Sequence, residues 1–259
     1  MTISDCTKLL DSDDPGPVAI INSGGRSPFL LLGDHAGNAI PRRLGTLGLS
    51  SDELGRHIAW DIGVRATGEL MAAMLDAVFV HQPYSRLVID CNRDPASPEA
   101  CMPVSDSILI AGNHALSASD RESRVTAIHR PYHDRIATIL ADRDSQGRAT
   151  ILIALHSFTP VMTGIPRPWD IGILYSGGNT SFARILLEVL SDTAGSMIGD
   201  NEPYRMDETD YTIPRHAFGN LAPYVEIEVR QDLIGDAEGQ RRMGAELSHA
   251  LEVALLRLG

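Results

Sequence analysis

Two histidines in matching surroundings offer this chain its chemistry. Leu30-Leu31-Leu32 runs into Gly33-Asp34-His35-Ala36-Gly37-Asn38, and Ile151-Leu152-Ile153-Ala154-Leu155 runs into His156-Ser157. Each apolar run reads as a buried strand, and each histidine stands where that strand ends. Strand ends of open α/β sheets are where the backbone turns and side chains converge on a ligand. Imidazole is a common zinc ligand, and a catalytic zinc takes three protein ligands and keeps one position open. The bland alternative is that each histidine only caps or hydrogen-bonds a strand end.

Spacing leaves the third ligand open. Asp61, in His57-Ile58-Ala59-Trp60-Asp61, offers a hard oxygen at a helix start, where aspartate also serves as a plain N-cap. Asn38 follows His35 by three positions, but an amide oxygen is a poor zinc ligand. Asp34 should point away from the site along its strand and act behind it.

Glu226 and Glu228 alternate in Val225-Glu226-Ile227-Glu228-Val229, so both face one side of a strand. A carboxylate beside a metal-activated water is the usual general base of amide hydrolysis; an edge strand with solvated charges would give the same pattern. Arg86 precedes and Asn92-Arg93 follows the predicted strand Leu87–Asp90. Arg93 suits a bidentate grip on a carboxylate or a surface salt bridge, and Arg86, at the opposite end, should not touch the same molecule. Arg230 is a further positioning candidate. Ser157 lacks a Gly-x-Ser-x-Gly elbow, which argues against a serine hydrolase. Spacing assigns no role to the clusters around His129–His133 and Gly199–Tyr204.

The elements that must position these groups alternate as strand and helix. Strands are predicted at 18–22, 29–32, 77–80, 87–90, 150–155, 171–175 and 224–229. Helices are predicted at 61–76, 121–143 (interrupted at Pro131), 180–192 and 241–258, with a further helix start at Ser51. Without repeats or linkers, this pattern implies one α/β domain over 1–259, with a largely parallel sheet and a loosely held arm over 1–17.

With 259 residues, 43% hydrophobic and 22% charged, the chain can bury a large core. A formal charge of −12 excludes nucleic-acid phosphates and anionic membrane surfaces as expected partners. Cys6, Cys91 and Cys101 are too few for a disulfide framework. Nothing at the start reads as a signal peptide, and no apolar run reaches a membrane span. The expected compartment is the cytoplasm.

Six motifs occur in order: His35-Ala36-Gly37-Asn38-Ala39-Ile40-Pro41, Tyr84 to Arg93, Pro131-Tyr132-His133, His156-Ser157-Phe158, Gly199 to Tyr204, and Glu226 to Leu233. Together they resemble the N-formylglutamate amidohydrolase family, which is distantly similar to zinc carboxypeptidases and aspartoacylases. The similarity runs from about Phe29 to the closing helix. It implies a three-layer, phosphorylase/hydrolase-like α/β sandwich around a mixed, largely parallel sheet. It also implies zinc held by His35 and His156, a catalytic base at Glu228, and a substrate carboxylate held by Asn92 and Arg93. Arg86, Arg230 and His216 are further candidates for a dicarboxylate. The carboxypeptidase pattern carries glutamate where this chain has Asn38, so Asp61 is the expected third ligand. The implied substrate is a small N-acyl amino acid, N-formyl-L-glutamate above others. A deacylase or small carboxypeptidase on the same scaffold, or a binding module without turnover, are the competing readings.

Overall fold

The computed structural model describes residues 8–192 and 195–259; Cys6 and the first part of the predicted arm lie outside them. In chain order the strands are β1 (Ala19–Ile21), β2 (Phe29–Gly33), β3 (Val78–His81), the short pair β4 (Val104–Ser105) and β5 (Ile108–Leu109), β6 (Ile151–Phe158), the short pair β7 (Val161–Met162) and β8 (Ile165–Pro166), β9 (Ile171–Leu174), β10 (Ile198–Asp200) and β11 (Tyr224–Arg230). The helices are α1 (Ser51–Leu54), α2 (Val64–Met74), α3 (Ala118–Arg124), α4 (Arg130–Ser145), α5 (Ser181–Ser191) and α6 (Ala237–Leu258).

Seven strands form one sheet in the order β1-β3-β2-β6-β11-β9-β10. The β3-β2-β6-β11 block is parallel, β1 and β9 each pair antiparallel with their inner neighbour, and β10 runs parallel to β9. The sheet is therefore mixed and largely parallel. All eight residues of β6 are buried, which is why its sequence reads as an unbroken apolar run rather than an alternation. Helices α2, α6 and α5 pack side by side on one face, where Phe79 fills the space beside Gly68 and Phe29 meets Phe182. Leu30, Leu32 and Asp34 alternate toward the other face, where Tyr132 of α4 bonds Asp34. The two short pairs stand apart as hairpins outside the main sheet.

Side-chain caps fix the starts of several helices. Ser50 and Glu53 form a reciprocal capping box on α1, and the Asp236 side chain caps α6, which starts four residues earlier than its apolar periodicity indicates. Three predictions need correction. The apolar stretch Leu87–Asp90 is not a strand: Val88 N–H donates to the Ser85 carbonyl, and the segment turns back on itself. β6 continues to Phe158, so His156 lies within the strand rather than after it. Pro131 does not break the helix. The turn Val125–His129 widens to a π-helix, with Arg130 N–H bonded to the Val125 carbonyl, which accommodates the missing prolyl donor.

The described part of the N-terminal arm is tied down. Asp11 and Asp13 pair with Arg43 and Arg42, Leu9 is buried, and Tyr84 Oη donates to the Pro15 carbonyl. Cys91 and Cys101 are free and buried. Among the described residues, no helix is long and apolar enough to cross a membrane.

Candidate active site

The parallel block β2-β6-β11 brings three separated sequence motifs to one sheet end. His35 follows β2 by two residues, His156 is the sixth residue of β6, and Glu228 sits in register opposite His156 on β11. Asp61 arrives from the loop before α2, whose position is fixed by its N–H donating to the His35 carbonyl at 2.9 Å. Gly63, at φ +84°, lets the chain pass close to the Ile234 carbonyl as it enters α2. Asp61 is therefore not the N-cap of α2; Gly63 is.

His35, Asp61 and His156 offer ligand atoms that all lie within 4.8 Å of one another, and all three residues are buried. Asp61 Oδ2 is 2.9 Å from His156 Nδ1 and 3.5 Å from His35 Nδ1. The far side of each ring faces a second carboxylate. His35 Nε2 donates to Asp90 Oδ1 at 2.7 Å, and His156 Nε2 lies 3.5 Å from Asp34 Oδ2. Metal-ligating histidines are held this way, with the remote nitrogen facing an oriented carboxylate. His35 Nδ1, His156 Nε2 and Asp34 Oδ2 have no hydrogen-bond partner despite complete burial. A buried N,N,O set with an unsatisfied nitrogen fits a divalent cation of the zinc type.

Electrostatics agree with that geometry. Burial opposes charge on every member, yet His156 and His35 are raised because the surrounding aspartates stabilise their protonated forms. Burial likewise opposes ionisation of Asp90, but Arg86 and His35 hold its carboxyl well below the usual range. The two glutamates differ. Burial pushes both Glu226 and Glu228 up to about 8, with His156 only partly countering it. β11 is an inner strand, so these are not the solvated charges of an edge. Glu228 Oε2 has no hydrogen-bond partner.

His35, Asp61, His156, Glu226 and Glu228 line a cavity of ≈ 380 Å³, which also takes in Arg86, Asn92 and Arg93. The expectation that Arg86 and the Asn92-Arg93 pair would diverge fails because the segment between them is a turn. Arg86 binds Asp90 Oδ2 at 2.7 Å and lies 3.6 Å from Asp61 Oδ1. Arg93 pairs loosely with Asp210 and Glu99, at 3.5 and 3.6 Å. Asn92 is largely occupied: its Oδ1 accepts from Tyr211 and Thr212 N–H, and its Nδ2 donates to Asp210.

Three sequence candidates do not reach the cavity. His216 is stacked on His133, 3.0 Å from Nε2 to Nδ1, behind the Asn92 loop. Arg230 turns outward to Asp170 and Asp232. Asn38 donates to the Leu54 carbonyl and lines a different hollow, so it offers nothing to the cluster. Ser157 Oγ donates to the Ile62 carbonyl.

Spacing does not place Asp90 behind His35, and it marks Glu202 to His216 only as a covering loop, whereas Tyr204, Arg205 and Asp210 of that loop stand on the cavity wall. The Asp90 signal was present as an Arg86-x-x-x-Asp90 pair beside the carboxylate-binding candidates. The unassigned histidines find a place too. His133 Nε2 donates to the Cys91 carbonyl, and His129 Nε2 donates to the Arg93 carbonyl, so both brace the Asn92-Arg93 turn.

The solved structure of gene product Atu2144 from Agrobacterium tumefaciens is similar over 97% of this chain and 99% of its own, with 34% identity and a TM-score of 0.93. N-formylglutamate amidohydrolase from Ralstonia eutropha JMP134 shares the fold at 19% identity and a TM-score of 0.65, over 94% of this chain and 97% of its own. No curated protein matches this chain. The family model for N-formylglutamate amidohydrolase matches residues 27–235, a span that contains every side chain of the cavity. With that span accounted for, the chain belongs to the N-formylglutamate amidohydrolase family and is a hydrolase acting on amide bonds.

Proposed function

We propose that the chain is a zinc-dependent deformylase that hydrolyses N-formyl-L-glutamate to formate and L-glutamate. The observation that carries this reading is Glu228, a buried carboxylate with an unpartnered oxygen, in register with His156 in the same cavity as His35 and Asp61. His35, Asp61 and His156 would hold the metal, with Asp90 and Asp34 orienting the two rings. A divalent cation at that position supplies a Lewis acid that acidifies water and polarises the formyl oxygen.

Glu228 takes the proton from the attacking water as the C–O bond forms, then delivers it to the amide nitrogen as the C–N bond breaks. Its lack of a competing hydrogen bond leaves that oxygen available for both transfers. The Arg86 guanidinium, fixed by Asp90, places a permanent positive charge beside the reacting carbonyl, where negative charge develops. Arg93 grips a substrate carboxylate and so sets which amide enters. Asn92 holds that grip in place through Asp210. We take residues 1–259 as one catalytic domain acting on a small molecule. The free Cys91 and Cys101 support a reducing compartment such as the cytoplasm.

The test is formate release from N-formyl-L-glutamate, abolished by chelator and restored by zinc, together with Glu228→Gln. That variant should bind zinc as the parent does while kcat falls by about 10²–10⁴-fold. A fully active Glu228→Gln would remove the base from the mechanism, and chelator-insensitive activity would remove the metal.

A further inference from the structure

N-formyl-L-glutamate carries two carboxylates, and Arg93 accounts for one. The other candidates offered by the sequence do not serve the second. His216 and Arg230 lie outside the cavity, and Arg86 is committed to Asp90 at 2.7 Å with Asp61 at 3.6 Å. The cavity has one more guanidinium on its wall, Arg205. Among the described residues, Arg205 makes no hydrogen bond or ion pair within the chain, whereas Arg86 and Arg93 both face carboxylates.

Its backbone is held in place. On the N-terminal side, Asn201 is locked to β9, its N–H donating to the Ile173 carbonyl and its Oδ1 accepting from Tyr175 N–H. Tyr204 is clamped by Arg167, which donates to the phenol oxygen at 2.8 Å and lies 4.7 Å from the ring centre. Met206 is buried on the C-terminal side, and Asp207 N–H donates to Asp210, which in turn accepts from Asn92. An unpaired guanidinium thus projects from a strip of chain held on both sides. The neighbouring Asp207 carboxylate is turned toward Thr209, accepting from its N–H and hydroxyl at 2.8 and 2.7 Å.

Building on the deformylase reading above, we infer that Arg205 is the specificity residue for the side-chain carboxylate of the acylated amino acid. Arg93 and Arg205 then form two cationic points, and a substrate with a second anionic group engages both. An arginine with no internal carboxylate to release binds an incoming one without first breaking an ion pair. A guanidinium–carboxylate contact of this kind contributes about 1.5–3 kcal/mol, roughly a tenfold to hundredfold preference over an uncharged analogue.

The experiment compares N-formyl-L-glutamate with its neutral isostere N-formyl-L-glutamine, measuring kcat and KM for each in the zinc-loaded enzyme. The parent should favour glutamate. Arg205→Gln should lower the glutamate-to-glutamine ratio of kcat/KM by about 10–100-fold, with the change in KM, because a remote charge contact is made equally in ground and transition states. Arg205→Lys, which keeps the charge and loses the fork, should recover part of that ratio. An unchanged ratio in Arg205→Gln, or an equal fall for both substrates, overturns the assignment of Arg205 while leaving the deformylase reading intact. A parent enzyme that releases formate from neither compound overturns both.

Discussion

Replacing Asp34 with Asn isolates what a carboxylate behind a metal-ligating histidine does. The side chain is 1% exposed; its Oδ1 accepts from Tyr132 Oη at 2.7 Å, and its Oδ2 lies unpartnered 3.5 Å from His156 Nε2. Burial favours the neutral acid, but His156, His35 and Tyr132 together hold Asp34 below the usual carboxylate range. Asparagine keeps the shape and the acceptor for Tyr132, so the substitution removes the charge and replaces the oxygen facing His156 Nε2 with an N–H donor. When His156 uses Nδ1 as a ligand, its Nε2–H requires an acceptor, and a carboxylate there raises the basicity of the ring. Loss of such a partner weakens metal binding about 10–100-fold, or roughly 1.4–2.7 kcal/mol. Asp34→Ala additionally strands the buried Tyr132 hydroxyl, at a further cost of about 1–3 kcal/mol in folding stability. The assay is a zinc titration in competition with a chromophoric chelator. Asp94→Asn serves as control, since that exposed side chain only caps the Ala96 N–H. Parent-like zinc affinity in Asp34→Asn would refute the argument that Asp34 supports His156.

Two further outcomes follow from the packing around the site. Burial, reinforced by neighbouring positive charge, depresses His133 to about 3 and His216 to about 4, so the stacked pair is neutral when folded. Between the unfolded value near 6.5 and these folded values, the unfolded chain binds more protons, and stability falls as pH drops through that window. His216→Gln, which can still donate to His133, should lose less stability than the parent between neutral and acid pH in matched thermal melts; superimposable pH profiles would exclude the pair as an acid-sensitive element. Gly172→Ala would drive a Cβ into the Glu202 carbonyl oxygen and set it 3.3 Å from Glu228 Cβ. It should cost about 1–3 kcal/mol in urea unfolding through overpacking, and raise KM by displacing the segment that carries Tyr204 and Arg205. Parent-like stability would mean that the strip moves freely.

Legibility in the sequence followed the range of the interaction. Leu30–Leu32 and Ile151–Leu155 declared buried strands because both faces of a parallel strand are covered, and Glu226 with Glu228 declared a shared face because strand side chains alternate. Leu87–Asp90 misled for the same reason: an apolar run marks burial, and a buried turn satisfies it as well as a strand does. A strand there would hold Arg86 apart from Asn92 and Arg93, whereas the turn brings all three to one cavity.

The sequence by itself determined which residue types were available and where the buried strands ended, since hydrophobic runs and turn residues are properties of neighbours in the chain. It placed His35 and His156 near strand ends and Glu228 on one face of a strand, without fixing the distances between them. Only the tertiary structure decided that β2, β6 and β11 are adjacent, that the loop before α2 delivers Asp61 to both histidines, and that Asp90 and Asp34 stand behind them. It also turned His216 and Arg230 away and left Arg205 facing the cavity. These are distances between groups tens of residues apart in the chain, set by strand order and by which loop packs on which. No local spacing rule reaches that far.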